Sequence, residues 1–92
     1  MSDKIIVSEE FRNYLEGLSH EKDSRANLIM FMLNTNMKNE QMFKKIQTEY
    51  LEFFTEYELA KRMLEKLYIK PKYENVRGWN LDFRSREITI YE

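Results

Sequence analysis

The sequence predicts an α+β fold: two short helices packed on one long helix, closed by a C-terminal antiparallel β-hairpin that a short N-terminal strand can join. Three observations carry this expectation. From Phe43 to Leu67 the apolar residues fall three and four apart without a miss, at Phe43, Ile46, Tyr50, Phe53, Tyr57, Ala60, Leu64 and Leu67, in a stretch with neither Gly nor Pro. That spacing keeps one narrow stripe turned toward a neighbouring helix. Two alternating runs near the end, Trp79-Asn80-Leu81-Asp82-Phe83 and Glu87-Ile88-Thr89-Ile90-Tyr91, have the two-residue period of strands. Between the N-terminus and the stripe, the apolar pattern breaks twice, which divides that region into shorter helices.

Taken in order, Lys4 to Val7 reads as a strand and Ser8 as the N-cap of a helix starting at Glu9. Glu9 and Glu10 favour the positive end of the helix dipole, and Phe11, Leu15 and Leu18 form its apolar face. Gly17 and the run Ser19-His20-Glu21-Lys22-Asp23-Ser24 interrupt the pattern. Continuing the stripe would put Lys22 and Arg25 on the buried face, so a break is expected here. A second helix, about Arg25 to Asn34, contains six apolar residues in a row, Leu28-Ile29-Met30-Phe31-Met32-Leu33, and should be buried nearly all round. Asn34-Thr35-Asn36 supplies a turn and a cap. The long helix then runs to about Tyr68, some 30 residues or roughly 45 Å, and Pro71 prevents its continuation. In the hairpin, pairing Phe83 with Ile88 sets Leu81 against Ile90 and Asp82 against Thr89, keeping apolar side chains on one face. Ser85-Arg86 lacks the residues of a primed two-residue turn, so a wider type I-based loop is expected.

The 92 residues form a single domain, 1–92. Their composition, 42% hydrophobic and 34% charged, is that of a globular chain. The chain contains no cysteine, which removes disulfides, thiol nucleophiles and thiolate metal sites. The longest apolar run has six residues against the roughly twenty of a membrane span, so no membrane partner and a cytoplasmic location are expected. The net charge of −1 is unevenly spread. Residues 1–60 carry 7 basic and 11 acidic side chains, whereas residues 61–92 carry 8 basic and 5 acidic.

His20 is the only histidine, and the neighbouring Glu21 and Asp23 point elsewhere on regular backbone. Glu49, Glu52 and Glu56 line one side of a helix without convergent partners, and no Ser or Thr has a base set beside it. These residues therefore suggest no catalytic, metal-binding or cofactor-binding group, and the chain is expected not to be an enzyme. Leu51, Phe54 and Met63 lie beside the stripe and widen it beyond what one neighbouring helix covers. Met30, Met32, Met37, Met42 and Met63 add adaptable apolar surface. Tyr73, Arg77 and Trp79, in and after a loop, are residue types enriched at interface hot spots. The expected function is a small protein-binding module (adaptor, inhibitor or regulatory subunit) with a protein partner and self-association as a homodimer. In that reading Glu56–Lys61-type charge pairs set orientation. A second reading is nucleic-acid binding through Lys70, Lys72, Arg77, Arg84 and Arg86, cations clustered enough to meet phosphates.

Overall fold

The Ser8 hydroxyl accepts a hydrogen bond from the Phe11 amide (3.1 Å), and with Glu9 and Glu10 in the first turn it starts a helix as its sequence predicts. This helix does not stop at Ser19. In the computed structural model, which describes residues 4–35 and 39–91, the elements are β1 (Ile5–Ile6), α1 (Glu9–Asn34), α2 (Glu40–Leu64), one π-helical turn (Glu65–Ile69), β2 (Gly78–Leu81) and β3 (Glu87–Tyr91). The class is α+β, with two long helices in place of two short ones and one long one. Three antiparallel strands in the order β1-β3-β2 form the sheet. Met37 and the cap expected at Asn36 lie outside the described residues. Asn39 caps α2, its side-chain oxygen accepting from the Met42 amide (3.1 Å).

The chain divides into two compact units. One combines Met1–Glu16 with Ala60–Glu92, and the other is Gly17–Leu59. In the first, Ile88 pairs with Ile5 on one side and Leu81 on the other, an apolar row across the sheet. Ile5, Val7, Leu15, Ala60, Leu64, Ile69 and Ile88 are buried and make up this unit's core. Phe11 meets Tyr68 edge to face (centroids 6.1 Å apart), and the Tyr68 hydroxyl accepts from the Ser8 amide (3.2 Å). The Arg12 guanidinium donates to the Phe83 carbonyl (2.7 Å) and ties the helix start to the β2–β3 loop.

The hairpin register differs from the expected one by two residues: Trp79 pairs with Ile90, Asn80 with Thr89 and Leu81 with Ile88. A two-residue slip leaves every side chain on its face, so apolar patterning cannot distinguish the registers. The turn decides between them. Asp82 accepts from the amides of Arg84 (2.8 Å) and Ser85 (3.4 Å), the Arg86 amide donates to the Asp82 carbonyl (2.7 Å), and Arg86 takes φ 65°. This wider loop draws Phe83 out of the strand and leaves Trp79 against Ile90, an aromatic pair with a β-branched residue.

The stripe of α2 is also corrected at its end. Ile46, Ala60 and Leu64 are buried and Phe43, Tyr50, Phe53 and Tyr57 half-buried, as the spacing predicts. Leu67, however, is 58% exposed, and the residue buried after Leu64 is Ile69, at 2%. The π turn closes with the Lys70 amide on the Glu65 carbonyl (2.8 Å), five residues back. Its additional residue rotates Leu67 outward and brings Ile69 to the core.

Candidate functional site

Within the unit of residues 17–59, α1 and α2 lie antiparallel, and the expected break in α1 is bridged by the charges that argued for it. Lys22 lies 4.9 Å from the centroid of the Tyr57 ring, and the Arg25 guanidinium lies 4.7 Å from that of Phe53. Arg25 also pairs with Glu21 one turn back and with Glu49 across the seam (3.8 Å). Lys22 donates to Asp23 (2.7 Å). Their side chains keep only 19% and 26% of their exposure. Long cationic side chains can cover apolar surface and rest on aromatic faces, so the half-aromatic stripe of α2 accepts them where an aliphatic one would not. The hydrogen bond to Asp23 holds the Lys22 ammonium above its ordinary value against the opposing effect of burial. A lysine raised in this way contributes its stability fully below the ordinary lysine range and loses it as pH climbs through the folded value, so it is charged at neutral pH.

The two cations also mark the two sides of the seam. Residues 26, 30 and 33 follow Lys22 down α1 at helical spacing, while Tyr50 and Phe54 neighbour Tyr57 on α2 and Leu51 lies one turn before Phe54. By this spacing Ala26, Met30 and Leu33 of α1 and Tyr50, Leu51 and Phe54 of α2 fall on one side of the hairpin, and the rings of Tyr50 and Phe54 lie 5.9 Å apart. Met30 (56%), Leu33 (60%), Leu51 (56%) and Phe54 (40%) are exposed on it. Leu28 and Phe31, also exposed, follow Arg25 on the other side. Of the apolar run expected to be buried nearly all round, only Met32 is buried. A hairpin supplies one neighbouring helix, and one neighbour covers about one side of a helix whose residues are apolar on every side.

Leu51 and Phe54 thus occupy the exposed position expected of them. Met63 is exposed as well, in the other unit. Tyr73, Arg77 and Trp79 belong to that unit, Arg77 exposed and Tyr73 and Trp79 half-buried. The Tyr73 amide donates to the Ile69 carbonyl (2.8 Å), and the Arg77 amide to the Tyr91 carbonyl (2.9 Å). The Trp79 indole N–H donates to Glu65 Oε1 (2.8 Å) at the start of the π turn, so this half-buried side chain already uses its polar handle. The basic residues are spread out. Lys70 and Lys72 follow the π turn, and Arg77 precedes β2. Arg84 and Arg86 lie in the loop at the far end of β2, a strand of four residues spanning roughly 13 Å. Met30 was expected as adaptable apolar surface, and Leu33 is the exposed apolar residue that sequence reasoning missed. Its signal was the six-residue run itself, longer than one neighbouring helix can cover.

His20, Glu52 and Glu56 are exposed. Among the described residues, no three His, Asp or Glu side chains come together as a metal would need, no polar or charged residue is fully buried, and no helix is long and apolar enough to cross a membrane. Comparison with protein-family models, with curated proteins and with solved structures finds no match for this chain.

Proposed function

We propose that this chain is a non-catalytic protein-binding module, an adaptor, inhibitor or regulatory subunit, that docks through one face of its helical hairpin. The observation that carries the reading is the set Met30, Leu33, Leu51 and Phe54, large apolar side chains that stay exposed at positions which helical spacing assigns to one side of the hairpin. Water penalises contiguous apolar surface of this kind, and a partner removes the penalty by covering it. The surface is suited to binding more than to chemistry. It holds a flexible thioether and branched aliphatic chains next to an aromatic pair, a mixture that adapts to another apolar surface. Its charged neighbour Lys22 is engaged within the hairpin, with Asp23 and the Tyr57 ring.

The reading is tested by using the full chain as bait with two variants. Phe54→Glu places a carboxylate on this face, and Glu52→Lys alters charge at an exposed position of the same helix. Partners retained by the unmodified chain and by Glu52→Lys, but lost by Phe54→Glu with its helicity intact, support docking through this face. Retention that Phe54→Glu does not change would overturn it.

A further inference from the structure

The docking face of the hairpin has a composition and an extent that select its occupant. From Ala26 to Asn34, α1 carries no charged residue. A partner recognised by charge therefore has nothing to read along this stretch, and a like-charge contact cannot arise when the stretch meets itself. An isologous contact brings each surface patch against its own copy, so a charged patch repels itself while an uncharged apolar one does not. The extent agrees. Taking roughly 200 Å² for a fully exposed side chain of this size, the exposures of Met30, Leu33, Leu51 and Phe54 amount to about 400 Å² on one chain. Interfaces of standard size bury about 600–1,000 Å² per partner, of which somewhat more than half is apolar, so these four side chains supply most of the apolar share of one such contact.

We propose that a second copy of this chain docks on the face formed by Met30, Leu33, Leu51 and Phe54, so that two hairpins close a four-helix bundle. This deepens the proposed function, since it rests on the reading of that face as a docking surface and names its occupant. Antiparallel hairpins are the ordinary halves of such a bundle, and each presents a half-aromatic seam bordered by flexible methionine and leucine side chains. In the bundle Leu33 and Phe54 lose their remaining contact with water, and the Tyr50–Phe54 ring pair becomes part of the shared core. Phe31, on the other side of α1, lies outside the contact.

Sedimentation equilibrium of the full chain over a concentration series tests this directly. The unmodified chain is expected at twice the chain mass. Leu33→Glu is expected to weaken association by about 100-fold or more, because a carboxylate is then buried without a partner. Phe31→Glu is expected to change association by less than about threefold, and far-UV circular dichroism checks that each variant keeps its helices. Because the chain has no cysteine, cross-linking provides a second measurement that does not depend on a destabilising substitution. Leu33→Cys should give a covalent dimer with a short bis-maleimide and Phe31→Cys should not. A chain that remains monomeric at all concentrations, or a dimer broken and cross-linked through position 31 but not 33, would overturn the proposal. If the monomeric chain nevertheless retains a partner that Phe54→Glu loses, self-docking falls and the docking face stands. If Phe54→Glu affects neither association nor retention, both readings fall.

Discussion

At Gly17 the backbone of α1 is right-handed and no heavy atom lies within 4 Å of where a Cβ would sit, so neither conformation nor space calls for glycine. Glycine in a helix interior costs about 0.5–1 kcal/mol relative to alanine, through the conformational freedom lost on folding. Gly17→Ala is therefore expected to raise stability by about that amount, read as a higher urea midpoint with an unchanged slope. A lowered midpoint would show that the residue serves a need other than helix formation. Lys22 and Arg25 show why such residues misled at the sequence level. Their charge is visible in the sequence, but their neighbours are not. The rings of Tyr57 and Phe53 and the carboxylates of Asp23, Glu21 and Glu49 meet them from other positions, and those contacts turn an apparent interruption into part of the seam. Trp79 is the opposite case. Its place at a strand start is legible, but its indole bond to Glu65 depends on a turn that the spacing does not reveal.

The elements themselves were largely legible: the Ser8 cap, the stripe of α2 through Leu64, two alternating strands and a short N-terminal strand that joins them, though its pairing with the last strand was not. What was missed lies where one residue more or less changes a phase. The π turn adds one residue between Leu64 and Ile69, both buried and five apart, where an α-helix would set a buried pair four apart. This leads to an unusual expectation for a deletion. Removing Lys66, which is exposed, lets the segment close as regular α-helix with Leu64 and Ile69 still on one face. The deletion variant is expected to fold with stability within about 1 kcal/mol of the parent, since a π turn converted to α-helix loses no core contact. Removing Gln47 instead rotates everything after it by about 100° and turns the stripe away from α1, at a cost of several kcal/mol. Equal losses for the two deletions, measured by urea unfolding, would show that the π turn is not the phase correction inferred here. The hairpin register follows the same logic, since apolar alternation repeats every two residues and only the Asp82 turn distinguishes 81–88 from 81–90 pairing.

At the scale of the whole chain, the apolar content is larger than the described core can use. Among the described residues ten apolar ones are buried while thirteen large ones stay exposed, and a chain of this size has little surface to spare for that imbalance. Composition alone could not show this, because 42% hydrophobic residues would suit either a fully packed monomer or half of a larger assembly. The sequence pattern came closest in the flank of Leu51 and Phe54, and went astray at Leu28 to Leu33 by assuming that enough neighbours existed to bury a helix on all sides. If a second copy supplies those neighbours, folding and association are linked and thermal stability must depend on concentration. The unfolding midpoint of the unmodified chain is then expected to rise by a few degrees for each tenfold increase in concentration, and that of Leu33→Glu to stay level. Differential scanning calorimetry at three concentrations is sufficient. A midpoint that ignores concentration in both chains would place all the measured stability within one protomer. Met30, Leu33, Leu51 and Phe54 would then face water by themselves, and the apolar surplus would belong to a different partner.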